Sequence, residues 1–328
     1  MTSISIIIPV YNVEKYIEAC LRSVMEQTYT GPMECILVDD CGQDNSIGVA
    51  EKMISDYQGT IHFRILHHDH NRGLSAARNT AMQAATGDYL FFLDSDDDIP
   101  SDCIQLLEEP LAEETYDLVV GETLTIGNDE LHEYFRLKLD DGAVLRHADI
   151  IGCYKSKWNM IAPSKLYNRN FIRQNRLSFK EGIIHEDELW SFQIACVARS
   201  LRAVNRPVYR YFLRGNSITA DSNRNIWKKI EAKTIIVGEM AAFLRERDIF
   251  SASAYNIIQK FIEEILHYEK SDRERFRQVY LTLRKTARFP WIYRLRTKGT
   301  NIRSHLQELH YFMPAVIGER YKYWRITR

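Results

Sequence analysis

The sequence has few cysteines, and no two of them form a Cys-x-x-Cys pair. The six cysteines are scattered over 328 residues. The chain therefore lacks the dense cysteine pattern of a small disulfide-stabilised protein. We expect reduced thiols, several of them facing the core, in a cytoplasmic protein.

Long apolar segments are missing as well. No stretch approaches the 18 apolar residues of a transmembrane helix, and the N-terminal MTSISIIIPV has no basic n-region of the kind that begins a signal peptide. Any contact with a membrane is therefore expected to be peripheral. The expected location is the cytoplasm, with the inner face of the plasma membrane as the place of such contact.

Acidic residues are scarce from Lys270 onward, where fifteen Lys or Arg accompany four Asp or Glu. This tail carries +11 and the remainder −12, although the net charge of the chain is −1. Basic residues interleaved with aromatics are typical of a membrane-surface segment, of a helical cap with a solvated basic face, or of nucleic-acid binding. We favour peripheral contact of residues 270–328 with an anionic membrane, and we expect no nucleic acid.

Strand and helix signals alternate over the first 120 residues. The apolar run Ile4–Val10 indicates a buried strand, and the spacing after Asn12, its expected N-cap, indicates a helix. Further strands are expected at residues 34–40, 62–68, 88–94 and 117–122, and further helices at residues 44–56, 74–85 and 101–111. This alternation predicts an α/β fold with a mostly parallel sheet flanked by helices.

The pattern changes further along the chain. It is mixed from residue 142 to 214, with a helix expected over 186–199 and an extended segment over 202–213. After that, three long helices are expected at residues 226–247, 253–270 and 272–287. We therefore place a boundary near residue 220, between a larger domain over 1–220 and a helical, basic region over 221–328.

Three of the predicted strands end in polar residues. The ends are marked by Pro9, Tyr11 and Asn12 at the first strand, by Asp39 and Asp40 at the second, and by Asp94 at the fourth. If these strands are parallel, their carboxyl ends share one edge of the sheet, where such folds bind ligands. The alternative is that strand ends are polar only because loops are.

Four carboxylates lie close together after the strand at 88–94, namely Asp94, Asp96, Asp97 and Asp98. Asp98, like Asp102, is expected to complement the dipole of the following helix. Asp94 and Asp96 form an Asp-x-Asp pair at a strand tip. Such a pair suits Mg²⁺ or Mn²⁺, because these ions take one or two carboxylates and leave positions for phosphate oxygens.

Two further stretches contain candidate groups. In NRGLSAARNTA, Gly73 permits an unusual backbone angle where a helix begins. Arg78 in this stretch is either a solvated helix residue or a forked donor to phosphate or a base. In IIHEDELW, Glu186 and Asp187 either complement a helix dipole or include a general base.

The ordered set of motifs resembles the inverting, nucleotide-sugar-dependent glycosyltransferases of family 2, which have the Rossmann-like GT-A fold. The segments are SIIIPVYNVEKYIEACLRSVMEQTY, ILVDDCGQDNS, NRGLSAARNTA, GDYLFFLDSDD, EGIIHEDELW and YRYFLRGNSIT. The resemblance is to bacterial polysaccharide enzymes and covers roughly residues 3–220. It implies a catalytic domain with a nucleotide-binding half over about 1–120 and an acceptor-side half over about 121–220.

The resemblance also implies which residues bind the donor. The nucleotide sugar would contact Pro9, Tyr11, Asp39, Asp40, Arg78, Asp94 and Ser95. Asp40 is the expected partner of the base, which is uracil if the donor is a UDP-sugar. Cys41 departs from the family pattern, because many members have glycine and then serine after the two aspartates.

A metal and a base are implied in the same way. A Mn²⁺ or Mg²⁺ ion on the donor diphosphate would be held by Asp94, Asp96 and Asp97. Asp187 would be the catalytic base, supported by Glu186.

The activity implied is metal-dependent, inverting transfer of one sugar from a UDP-sugar to a hydroxyl group of a glycan or lipid-linked acceptor in surface polysaccharide biosynthesis. Processive relatives carry transmembrane helices and a Gln-x-x-Arg-Trp motif, and neither is present in this sequence. A sugar-phosphate nucleotidyltransferase is disfavoured, because the loop PVYNVEKY contains no glycine. A catalytically silent module of the same fold, binding a nucleotide sugar or a protein, stays open.

Overall fold

The computed structural model describes residues 1–213, 226–294, 306 and 308–328. The chain divides into two compact units, Met1–Asp221 and Ser222–Arg328. The predicted boundary near residue 220, residues 214–219 of the last family-like segment and residues 295–305 of the basic tail lie outside the described residues.

An eight-stranded sheet forms the centre of the first unit. Its strands are β1 Ile4–Val10, β2 Met33–Asp39, β3 His62–His67, β4 Tyr89–Phe92, β5 Leu118–Ile126, β6 Val144–Arg146, β7 Lys165–Asn168 and β8 Ser200–Phe212. They lie in the order β3-β2-β1-β4-β7-β5-β8-β6. The first four are mutually parallel, as are β5 and β8, whereas β7 and β6 are antiparallel to their neighbours. The predicted α/β class, with a mostly parallel sheet, is confirmed.

Helices flank this sheet and make up the second unit. The first unit contains α1 Ile17–Met25, α2 Ser46–Asp56, α3 Leu74–Ala84, α4 Cys103–Glu108, α5 Asp129–Phe135, α6 Ala148–Cys153, α7 Arg169–Gln174 and α8 Glu186–Val197. The second contains α9 Ile226–Glu246, α10 Ala252–Tyr268, α11 Arg273–Arg294 and α12 Ala315–Thr327. Short 3₁₀ turns occur at Glu109–Ala112 and Leu309–Tyr311. Within the described residues, no helix is both long and apolar enough to cross a bilayer.

Strand β1 shows why the sheet is covered on both faces. All seven of its residues are buried, and a strand that is apolar on both faces needs helices on both sides. On α1, Ile17, Cys20, Leu21 and Val24 are all fully buried. Their spacing of three, one and three residues makes one apolar stripe against the sheet.

Two predicted helix caps are wrong. Asn12 does not cap α1, which begins at Ile17; it adopts a φ of +54° and accepts a hydrogen bond from the Gln43 N–H at 2.7 Å. Asp98 does not serve α4 either. Its backbone pairs with Arg210 of β8 and its carboxylate forms an ion pair with the same residue, because the end of β8 runs beside this turn.

Strand β7 was not predicted. It contains only four residues, and it inserts antiparallel between β4 and β5. A segment this short gives no measurable alternation, and its pairing depends on strands that lie far away in the sequence. The insertion matters for the site, because β7 fixes the loop that precedes it.

A buried carboxylate stabilises the opposite end of the sheet. Glu34 Oε1 accepts hydrogen bonds from Ser5 Oγ at 2.6 Å and from the N–H groups of Thr86 at 2.6 Å and Gly87 at 3.3 Å. Burial raises the pKa of Glu34, but these hydrogen bonds to the charged form outweigh burial, so the pKa is lower than that of an ordinary glutamate.

We predict that Glu34→Gln lowers the free energy of unfolding at pH 7 by about 1–3 kcal/mol, since strong charge-assisted hydrogen bonds are lost. A lowered folded-state pKa stabilises the fold above the unfolded pKa, and this stabilisation is lost as pH falls. The difference between the two proteins in urea unfolding should therefore shrink at pH 4. Exposed Glu51→Gln is the control, and an equal difference at both pH values would contradict the assignment.

Candidate active site

The carboxyl ends of three parallel strands meet at one edge of the sheet. In the register of the sheet, Val10 of β1 lies opposite Asp39 of β2, and Ile7 lies opposite Phe92 of β4. The residues that follow these strands therefore emerge together, as predicted. They are Tyr11, Asp40 and Asp94.

Arg78 of α3 lies at the centre of this edge and is 1 % exposed. Its Nη2 donates to Asp94 Oδ1 at 2.7 Å, and its Nη1 donates to Glu186 Oε1 and Asp187 Oδ1, both at 2.8 Å. The guanidinium also lies 5.1 Å from the ring centroid of Phe179. Arg78 is therefore not a solvated helix residue, and it joins the Asp-x-Asp stretch to the Glu-Asp pair.

The cluster contains more acidic than basic groups. Three carboxylates contact one guanidinium, and Asp96 lies close by in the sequence. Burial lowers the pKa of Arg78, but the charges of Asp187, Asp94 and Glu186 raise it above that of an ordinary arginine, so it stays protonated. Burial raises the pKa of both Glu186 and Asp187, and Arg78 opposes the rise.

A buried loop lies beside the Asp187 carboxylate. Asp187 lies at the first turn of α8 and retains 21 % exposure, and the backbone of Ala162 opposes the rise in its pKa. The Ala162 carbonyl accepts a hydrogen bond from Tyr167 of β7 at 2.8 Å. This hydrogen bond orders the loop whose backbone acts on Asp187.

Lys165 also stabilises this loop through hydrogen bonds. The sequence did not predict this role of Lys165. Its fully buried Nζ donates to Asn159 Oδ1 at 2.7 Å and to the carbonyls of Ile161 at 2.6 Å and Pro163 at 3.2 Å. Burial lowers the pKa of Lys165 to about 7. Three oxygen acceptors match the three donors of the ammonium form. Lysine is rarely buried unless it is paired, but the sequence alone does not reveal that it is buried.

The Asp-x-Asp pair lies at the open side of the cluster. Asp94 retains 27 % exposure, and only its Oδ1 is engaged by a side chain among the described residues. Asp96 is half-buried. No three His, Cys, Asp or Glu side chains in the described part of the chain form a metal cage. Two partly open carboxylates in a negatively charged site nevertheless fit Mg²⁺ or Mn²⁺, which binds through few protein ligands plus phosphate.

Asp97 faces inward, contrary to its predicted place among the metal ligands. Its Oδ2 accepts a hydrogen bond from Tyr209 Oη at 2.7 Å, and its Oδ1 accepts one from the Phe212 N–H at 2.9 Å. Both oxygens are thus used to anchor the end of β8. Burial, together with the charges of Asp96 and Asp94, raises its pKa. Ser95 is buried as well.

Asp40 also faces inward and does not present its carboxylate to a base. Its Oδ1 accepts hydrogen bonds from His68 Nδ1 at 2.7 Å and the Arg72 N–H at 2.8 Å, and its Oδ2 accepts one from the Gly73 N–H at 2.8 Å. These bonds hold the turn at Gly73, whose φ of +86° begins α3 as predicted. Both oxygens of the Asp40 carboxylate therefore accept hydrogen bonds from groups of the same chain.

The other donor-side residues are more open. Asp39 is partly exposed and bonds to His67 Nδ1 at 2.9 Å and the Cys41 N–H at 3.1 Å. Tyr11 is 47 % exposed at the sheet edge, whereas Pro9 is buried within β1. The roles of His67 and His68 as partners of the two aspartates were not predicted, because the run HHDH lacks metal-ligand spacing and gives no other signal.

Comparison with known proteins places these features in one family. The model for Glycosyl transferase family 2 matches residues 5–182, more than half of the chain. Putative glycosyltransferase EpsH of Bacillus subtilis is 31 % identical over 264 residues, or 75 % of this chain and 70 % of that protein. Uncharacterized glycosyltransferase YibD of Escherichia coli is 29 % identical over 237 residues, or 68 % of this chain and 66 % of that protein.

A solved structure shows the same fold. Residues 1–349 of TarS from Staphylococcus aureus, in complex with UDP, match with a TM-score of 0.72 at 18 % identity, covering 99 % of this chain and 92 % of that one. The GT-A fold that the sequence motifs imply is confirmed.

We predict that Arg78→Met lowers the free energy of unfolding by about 3–5 kcal/mol, because it leaves three neighbouring carboxylates without their buried counterion. The loss should be smaller at pH 5 than at pH 8, since protonation of the carboxylates relieves their repulsion. Urea unfolding at both pH values measures it.

The control is Arg72→Met, which removes an arginine that is 40 % exposed and lies 3.7 Å from Glu181. Its effect should stay below about 1 kcal/mol. A loss in Arg78→Met that is no larger than in this control would contradict the assignment.

Proposed function

We propose that this chain, which belongs to glycosyltransferase family 2, transfers one sugar from a UDP-sugar to a hydroxyl group of a glycan or lipid-linked acceptor in surface polysaccharide biosynthesis. The observation that carries the proposal is the cluster in which Arg78 holds Asp94 and Asp187 at one centre. This cluster supports the proposal, because Asp94 suits a metal diphosphate and Asp187, which shares the same arginine, suits proton transfer.

The donor site in this proposal is the edge formed by β1, β2 and β4. Tyr11 and Asp39 are its open side chains, so Asp39, rather than Asp40, is the carboxylate proposed to contact the base. Asp40 shapes the turn beneath it. The UDP bound to TarS, a protein of the same fold, supports a uridine nucleotide as the donor moiety. Pro9 and Ser95 are buried and are proposed to form part of the lining of the donor site.

Asp94 and Asp96 are the proposed metal ligands. A bound Mg²⁺ or Mn²⁺ supplies positive charge for the leaving diphosphate. The excess of carboxylates around Arg78 supports this assignment, because a diphosphate without a cation would be repelled by them. Asp97 orders the turn that carries both ligands, since it ties that turn to β8.

Asp187 is the proposed base. It accepts the proton of the acceptor hydroxyl group as that oxygen attacks the anomeric carbon from the face opposite the diphosphate. The new glycosidic bond forms as the bond to the diphosphate breaks, so the configuration inverts. A raised pKa suits this role, because a general base works best with a pKa near the working pH. Glu186 shares Arg78 with Asp187 and supports it.

The larger organisation follows the same scheme. Residues 1–120 are proposed to bind the nucleotide and residues 121–220 to face the acceptor. The basic tail over residues 270–328 is proposed to contact an anionic membrane surface from the cytoplasm, where lipid-linked acceptors are available.

We predict that hydrolysis of a UDP-sugar, tested over a panel of sugars, requires Mn²⁺ or Mg²⁺ and falls at least about 100-fold in Asp96→Ala. Asp102→Ala, which changes an exposed aspartate at the start of α4, should keep full activity. Calorimetry of UDP with Mn²⁺ gives a readout independent of turnover. Undiminished hydrolysis in EDTA or in Asp96→Ala would refute the metal site. If no sugar in the panel is hydrolysed, a catalytically silent binding module is favoured instead.

We predict that Asp187→Asn keeps the affinity for UDP and loses transfer to glycan acceptors by about 100- to 10,000-fold, because the amide cannot accept the proton. In the unaltered protein, transfer should fall as the pH drops below the raised pKa of Asp187. This acid limb should be missing from the residual activity of the variant. Exposed Asp149→Asn is the control, and unchanged transfer in Asp187→Asn would remove it as the base.

A further inference from the structure

Helix α12 buries two charged residues and exposes several apolar ones. Gly318, Glu319 and Lys322 are buried within the second unit, whereas Arg320 is exposed. Val316 and Ile317, on the opposite side, are 49 % and 56 % exposed. This is the reverse of the usual amphipathic arrangement of a helix in a soluble protein.

The inward face is fixed by specific contacts. Glu319 pairs with Arg273 of α11 at 2.7 Å, and Lys322 pairs with Glu263 of α10. At Gly318 a Cβ atom would lie 2.1 Å from the carbonyl oxygen of His310, so only glycine fits there. In each pair the α12 partner is buried and the other partner is partly exposed, so breaking the pair leaves a buried charge without its counterion, which is costly. Rotating the helix to bury its apolar side would therefore lose both pairs and create a clash.

The outward side forms an apolar patch with the preceding 3₁₀ turn, called here the α12 face. Its large side chains are between 36 % and 56 % exposed: Leu309, Phe312, Met313, Val316, Ile317, Tyr321 and Trp324. The last four, which lie within α12, recur at intervals of three or four residues or lie next to one another, so they share one side of the helix. A soluble monomer rarely exposes so many neighbouring apolar side chains without a partner.

Positive charge surrounds the α12 face. Arg284 and Arg288 of α11 donate to the Tyr311 carbonyl, each at 2.8 Å, and Arg288 lies 5.4 Å from the ring centroid of Phe312. Arg320 is exposed on the same side of the helix, one turn from both Val316 and Trp324, and Arg328 lies 4.3 Å from the ring centroid of Trp324. The matching surface must therefore offer both apolar and anionic groups.

We propose that the α12 face lies flat on a membrane rich in anionic lipid, with its apolar side chains in the acyl boundary and its arginines on the headgroups. Trp324 and Tyr321 suit this position, because their rings favour the interface. Basic residues near such a surface are attracted to its anionic headgroups. The inference rests on the membrane contact proposed for residues 270–328 and narrows it to one face.

A second copy of this chain fits the α12 face less well. In a two-fold symmetric dimer the same surface meets itself. The arginines at the boundary of one copy would approach those of the other, and juxtaposed like charges disfavour association. Anionic lipid avoids this repulsion and gains from the same residues.

The test is co-sedimentation of the full chain with vesicles of phosphatidylcholine and phosphatidylglycerol (3:1), compared with pure phosphatidylcholine. The chain should bind the anionic vesicles, less so at high salt. Ile317→Glu should weaken this binding at least tenfold. Ile235→Glu, an exposed isoleucine on α9, makes the same change outside the patch and should bind as before. Trp324→Ser is a second patch variant if Ile317→Glu does not fold.

Three results would overturn the inference: equal binding by the patch variants and the control, equal binding to neutral vesicles, or no vesicle binding with a dimer that Ile317→Glu dissociates in light scattering. Hydrolysis of UDP-sugar in solution is measured alongside and should be unchanged in Ile317→Glu. A failed membrane test therefore does not contradict the proposed transfer chemistry. A failed hydrolysis test likewise does not contradict the membrane contact.

Discussion

The site depends on one buried cation. Arg78 holds three carboxylates from two distant segments, and each group needs the others: a guanidinium without partners is costly to bury, and the carboxylates without it would repel one another. Helix α3, the end of β4 and the start of α8 are therefore fixed relative to one another by a single side chain. Because the charges do not balance, the fixed arrangement is also left ready to attract a cation.

Around this centre the acidic residues divide into two groups. Asp40 and Asp97 point inward and accept hydrogen bonds from backbone N–H groups, which orders the turns at Gly73 and at the end of β8. Asp39 and Asp94 keep part of their surface open. Lys165 acts in the same way as the inward aspartates, because its hydrogen bonds to Ile161 and Pro163 order the loop around Ala162. Most of the chemistry proposed for the open groups thus depends on charged groups that are bonded to their own chain.

Sequence reasoning reached the fold and the edge where the site lies, because buried parallel strands such as Ile4–Val10 have an unmistakable apolar run. It did not resolve neighbouring aspartates. Asp39 and Asp40 have the same chemistry and differ only in which way the chain turns after β2, which depends on the distant turn at Gly73. Asp97 was not separated from Asp94 and Asp96 for the same reason, since its partner is Tyr209 of β8. Adjacent side chains of identical type are separated by tertiary contacts alone.

Both the Arg78 cluster and helix α12 leave groups on the surface that the fold itself does not compensate, but the kind of group differs. In the first unit, carboxylates in excess of Arg78 remain near the surface, where a cation and its diphosphate can neutralise them. In α12 the charges of Glu319 and Lys322 are paired inward, and large apolar side chains are left exposed. An unbalanced charge favours a small, charged ligand, whereas an unburied apolar face favours an extended, apolar partner. The proposed donor complex and the proposed lipid surface each remove the imbalance that the fold itself leaves.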